Sequence, residues 1–106
     1  MGSGEFMRVV TLESGKADIE TIRANLARYG KSPVKNFRIT LQKFRHHIAK
    51  MPEMYPVCEY NPAFRAAVLI YDYVLFYKID TAAKTVNVFR ILHSSRNLAD
   101  IIKKSN

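Results

Sequence analysis

The chain has one cysteine, Cys58, and no tryptophan in 106 residues. A lone cysteine closes no intramolecular disulfide and supplies no zinc cluster. With no histidine near it in sequence, it reads as a structural thiol rather than a nucleophile. This cysteine usage fits a reducing, cytoplasmic setting. No apolar run approaches the roughly 20 residues that a membrane span requires, so no membrane partner is expected. Glycine is also scarce: apart from the first few positions the chain has only Gly15 and Gly30, too isolated to form a phosphate-cradling loop. No spaced set of Cys, His, Asp and Glu predicts a metal, and no motif calls for a cofactor. Acidic residues are the remaining shortage. Nine Asp and Glu stand against 17 Lys and Arg, a formal charge of +8 at pH 7. So basic a surface on so short a chain attracts polyanions or an acidic protein partner.

What is present is enough for one folded domain, since 48% of the residues are hydrophobic and that composition excludes intrinsic disorder. Met1-Gly-Ser-Gly-Glu-Phe6, followed at once by a second methionine, reads as an expression tag or cloning scar, which leaves 7–106 as the domain. Met7 to Leu12 is a short β-prone run. Ser14 is placed to cap a helix at about 15–29, where Ile19, Ile22, Leu26 and Tyr29 form one apolar stripe. Gly30 ends it. Ser32-Pro33 then opens a second helix to about 51, with Val34, Phe37, Leu41, Phe44, Ile48 and Met51 at alternating spacings of three and four. The short connection predicts a helical hairpin.

Beyond Pro52 and Pro56 the period changes. Arg65 to Ile70, Tyr73 to Asp80 and Thr85 to His93 read as strands joined by hairpins, Val57 to Tyr60 as an edge segment, and Leu98 to Lys104 as a helix capped by Asn97. The expected fold class is α+β, in the order β-α-α-β-β-β-(α), with the helical hairpin on one face of an antiparallel sheet of three or four strands. By strict alternation, Val86, Val88, Arg90 and Leu92 share one face of the last strand, and Asn87, Phe89, Ile91 and His93 the other. Both faces are largely apolar, which predicts partial cover on the second face as well.

Cationic side chains within the strands are costly unless they are paired or meet a ligand. Arg65, Lys78, Arg90, His93 and Arg96 are therefore the candidates for chemistry, with Lys43 and Arg45 on the second helix as further nucleic-acid contacts. For Arg90, an ion pair with Asp18 or Glu20 stands equal with phosphate contact. His46 and His47 face different directions and read as a solvated helix face.

The stretch Met51-Pro-Glu-Met-Tyr-Pro56, the strand Tyr73-Val-Leu-Phe-Tyr-Lys-Ile-Asp80, and Lys84-Thr-Val-Asn-Val-Phe-Arg-Ile-Leu-His93 followed by Arg96-Asn97 together resemble the RelE/ParE superfamily of bacterial type II toxins. The resemblance covers nearly all of Met7 to Ile102 and implies a small basic toxin neutralised by a cognate antitoxin. RelE-like members cleave mRNA on the ribosome; ParE-like members inhibit DNA gyrase and lack the nuclease residues. On the first reading His93, Arg65 and Arg96 are the catalytic candidates, with Lys78, Arg90, Arg45 and Lys43 binding nucleic acid. That reading is placed ahead of gyrase inhibition because the chain is so basic and His93 can move a proton near neutral pH. Two features point the other way. Val74 stands where RelE-like nucleases tend to carry arginine, and Arg90-Ile-Leu-His93 with Arg96 is closer to the ParE-like branch. A nontoxic nucleic-acid-binding module is the third alternative.

Overall fold

The computed structural model describes residues 6–105. Five of the six residues read as a tag lie outside that range. The sixth, Phe6, rests its ring edge-on against His46 with centroids 5.4 Å apart. The elements run β1 (Arg8–Thr11), α1 (Glu13–Ala27), α2 (Lys31–Lys50), β2 (Arg65–Val68), a tight turn (Ile70–Asp72), β3 (Tyr73–Asp80), β4 (Thr85–His93) and α3 (Leu98–Lys103). The expected α+β order holds, and β3 and β4 have the boundaries read from the sequence.

The sheet is mixed rather than wholly antiparallel. Its order is β1-β4-β3-β2, and β1 lies parallel to β4 while the other neighbours are antiparallel. The physical reason is the helical hairpin between β1 and β2. It acts as one long crossover on a single face, so β1 joins the free edge of β4 instead of pairing with its sequence neighbour. The edge segment shrinks to one bridge, Val57 to Arg65.

Both helices begin earlier than their proposed caps. Ser14 lies inside α1, where its hydroxyl donates to the Phe89 carbonyl at 2.7 Å, tying the helix to β4 instead of capping itself. Likewise Ser32 is inside α2, whose N-cap is Gly30 at φ 110°, a left-handed backbone that only glycine adopts without strain. Asn97 does cap α3, its side-chain oxygen accepting from Asp100 N–H at 3.2 Å.

Ile22 and Leu26 of α1 and Phe37, Leu41 and Ile48 of α2 pack on Leu75, Tyr77, Val86, Val88 and Ile91. Phe44 is only partly buried, and Tyr29 and Met51, at the stripes' ends, are exposed. A second apolar cluster covers the opposite face, where Ile102 of α3 and Cys58 and Phe64 of the loop between α2 and β2 meet Val74, Phe76 and Leu92. The partial cover expected on that face is present, and Cys58 is buried in it.

A bulge corrects the predicted faces of β4. Phe76 pairs with Arg90 but Tyr77 pairs with Val88, so Phe89 is the extra residue. Up to Val88 the even-numbered residues face the helices; beyond the bulge Ile91 does, and Leu92 joins the second cluster with Phe89.

Candidate functional site

The bulge determines what Arg90 can do. Its Nε and Nη2 donate to the Asp18 carboxylate at 2.7 and 3.1 Å, and Ile91 N–H donates to the same group at 2.9 Å. Of the two readings that stood equal for Arg90, the ion pair with Asp18 is the one formed, and its guanidinium is committed to α1. Arg45 is committed similarly. It donates to Thr11 Oγ1 and, at 3.2 Å, to the Val9 carbonyl, and burial lowers its pKa from the ordinary arginine value. Lys78 sits on the other face, its Nζ 5.2 Å from the centroid of the Phe64 ring. Lys43 is exposed on α2.

The three residues singled out for catalysis divide into a pair and an outlier. His93 ends β4 and Arg96 lies in the turn that follows; both line a recess of about 120 Å³ with Asp18, Asn25 and Tyr73. Arg65 stands opposite Tyr77, whereas His93 stands opposite Tyr73. Those two tyrosines are separated along β3 by about 13 Å at ~3.3 Å per residue. Arg65 donates to the Tyr55 carbonyl at 2.8 Å and reaches that of Glu53 at 3.5 Å. Tyr77 donates to the Pro52 carbonyl at 2.7 Å, so the pair strap the 52–55 segment to the sheet. Burial pushes the Tyr77 phenol up from 10.0 to about 12, against the opposing charge of Arg65.

His93 is half-buried and held in a defined orientation. Its Nδ1 accepts from Ser95 N–H at 3.1 Å and lies 2.8 Å from Ser95 Oγ, so the neutral ring carries its proton on Nε2. Tyr73 meets the ring edge-on at 5.1 Å between centroids. Burial raises the Tyr73 phenol, opposed by a hydrogen bond from Asn25.

Beside this pair lies a wider cleft of about 640 Å³ that sequence reasoning missed, lined by Asn25, Arg28, Tyr29, Tyr71, Tyr73 and His93 among others. In the sequence Tyr29 reads as the end of an apolar stripe and Tyr71 as part of a hairpin gap. The available signals were Gly30, which ends α1 and leaves Tyr29 beyond its last turn, and the shortness of the Tyr71-Asp72 connection. A third concavity, about 480 Å³, runs between α1 and α2. Ile19, Val34, Phe37 and Leu41 line it together with Arg23, Lys31, Lys35 and Arg38. Among the described residues no group of three or more His, Cys, Asp or Glu is arranged to hold a metal, and no helix is long and apolar enough to cross a membrane.

An α-helical hairpin laid on a four-stranded mixed sheet is the fold of RelE/ParE-like toxins. The chain belongs to the ParE toxin family of type II toxin–antitoxin (parDE) systems, whose family model matches residues 10–98. Solved structures agree on the fold. A chain of the chromosomal ParDE system from P. aeruginosa superposes with a TM-score of 0.65 at 14% identity, covering 83% of this chain and 96% of that one. A chain of the RelBE2 toxin–antitoxin complex from Mycobacterium tuberculosis gives 0.60 at 16% identity, covering 88% and 97%. No curated protein matches the chain.

Proposed function

We propose that this toxin is neutralised by a cognate antitoxin and acts by binding DNA gyrase rather than by cutting mRNA on the ribosome. The observation carrying the choice of target is the dispersal of its cationic side chains. RNA cleavage by 2′-hydroxyl attack calls for a base, an acid and charge-neutralising cations around one phosphate. Arg65 is remote from His93 and engaged with backbone carbonyls, Arg90 is neutralised by Asp18, and Val74 occupies the position where RelE-like nucleases tend to place arginine. Binding a protein target requires no such convergence.

The antitoxin reading is supported by the family and by the groove of the helical hairpin, whose apolar floor and rim of Arg23, Lys31, Lys35 and Arg38 suit an acidic amphipathic segment that folds as it binds. The ribosomal reading keeps one observation in its favour: His93 and Arg96 line one recess.

Inducing the chain in a bacterium, with and without the product of the adjacent open reading frame, tests both parts. Growth arrest relieved by the neighbour is expected. Separate pulse-labelling should show DNA synthesis failing while protein synthesis continues, and His93→Ala should leave the arrest intact. Arrest of translation first, abolished by His93→Ala, would transfer the assignment to ribosome-dependent cleavage.

A further inference from the structure

The cleft between the end of α1 and the turn before β3 is built from parts that the toxin reading leaves without a role. Tyr29 is 76% exposed, an unusual state for so large an apolar ring. Tyr71 is held at φ 61°, ψ 29° and Asp72 at φ 62°. Positive φ at both central positions is the pattern of a hairpin turn that favours Asn-Gly, so an aromatic residue there is strained, and such strain concentrates at ligand-binding positions. Asn36 Nδ2 donates to the Tyr71 hydroxyl at 3.2 Å, fixing the ring toward α2.

Arg28 stands on the rim and, among the described residues, makes no ion pair. Among the described residues no Asp or Glu lines the cleft, and Ser95, by donating to Nδ1, leaves His93 Nε2–H as a donor. The volume, about 640 Å³, lies within the ~300–1,000 Å³ of small-molecule sites.

We propose that this cleft binds a nucleoside phosphate, with the base against the tyrosine rings and the phosphate at Arg28 and His93. Phenol faces take any base, because every base presents a π-face, while an anion is drawn to a site with cations and no carboxylate. A free nucleotide and the end of a single strand share this chemistry. The site does not depend on whether gyrase is the target.

The test is titration of the full chain with AMP, CMP, GMP and UMP, followed by calorimetry and by the ring resonances of His93 and the tyrosines, with ribose 5-phosphate and adenosine as controls. Each nucleotide is expected to bind at least about five-fold tighter than ribose 5-phosphate, and Tyr29→Ala to weaken binding about ten-fold. Arg28→Gln should weaken it and flatten its salt dependence while leaving adenosine unaffected. Both side chains are exposed, so the variants should melt with the parent. A single-stranded pentanucleotide that binds more tightly than its mononucleotide identifies a strand as the source; equal affinity identifies the free nucleotide. Ribose 5-phosphate binding as tightly as the nucleotides, binding unchanged in both variants, or no binding at all would overturn the proposal. The measurement involves neither antitoxin nor target, so its failure leaves the growth-inhibition reading standing.

Discussion

Asp18 accepts three hydrogen bonds at the bulge of β4, and its side chain is 12% exposed against 25% for Arg90. Removing the carboxylate strands a largely buried guanidinium and an unpaired backbone N–H. Asp18→Ala is therefore expected to destabilise the fold by about 3–5 kcal/mol, read as a lower urea midpoint at unchanged slope. Tyr77 makes a second prediction. Its phenol is fully buried and its pKa is about 12 in the folded chain, against 10.0 ordinarily. The unfolded chain thus releases this proton first as pH rises, so stability is fully present below about pH 10 and falls through the window up to about 12. Tyr55 and Tyr73 are raised by burial in the same sense. Thermal melts between pH 8 and 12 should show the decline, and Tyr77→Phe should make it shallower while lowering stability at pH 7 through loss of the Pro52 hydrogen bond. That Arg90 needs a partner was legible in the sequence, because a charge within an apolar strand is costly alone, but the sequence left Asp18, Glu20 and a phosphate equally open. The orientation of His93 was not, since it depends on a turn that brings Ser95 back onto the ring.

At the scale of elements, α1 lies unusually close to β4. A Cβ added at Gly15 would meet Thr11 Cγ2 and the Val88 carbonyl at 3.1 Å and the Phe89 carbonyl at 3.4 Å. An alanine within a helix ordinarily stabilises it relative to glycine by up to about 1 kcal/mol. Here two of the obstructing atoms are backbone carbonyls that cannot swing aside, so Gly15→Ala should instead cost about 1–3 kcal/mol, measured by chemical denaturation. The turn before β3 gives the opposite expectation. Replacing Tyr71-Asp72 with Asn-Gly suits the positive φ angles and should stabilise the chain by about 1 kcal/mol while weakening nucleotide binding. The helices and strands were legible because their periods, 3.6 and 2, are properties of local sequence. The phase of β4 was not, because a bulge inserts a residue without leaving a mark in the apolar pattern: Val86, Val88, Phe89, Ile91 and Leu92 read equally well with or without it. The parallel pairing of β1 was hidden for a different reason. Four residues carry no direction, and the partner was decided by where the helical hairpin returned the chain.

For the molecule as a whole, the two apolar clusters on opposite faces of one sheet make β3 and β4 the common wall of both. Phe37 is 1% exposed at the centre of the helix-side cluster, and Phe37→Ala should cost about 3–5 kcal/mol in equilibrium unfolding; the half-buried Phe44 should lose less on truncation. The charge of +8 was visible from composition, but its distribution was not. Folding engages some cations inside the molecule, as with Arg45, Arg65 and Arg90, and leaves others on its surface, among them those on the rims of the hairpin groove and the tyrosine cleft.

The parallel register of β1 with β4, from Arg8 opposite Thr85 to Thr11 opposite Val88, also sets a schedule for synthesis. A ribosome makes β1 and both helices first, yet the strand that β1 joins and that α1 packs upon emerges near the end. Until β4 has left the exit tunnel, β1 has no neighbour and the apolar faces of α1 and α2 have only an incomplete wall to cover. At about 5–20 residues per second, that interval lasts several seconds for each chain. A nascent toxin is therefore unfinished, and without its His93 edge, for most of its own translation, and any message broken before the codons for β4 yields a product that cannot close its sheet.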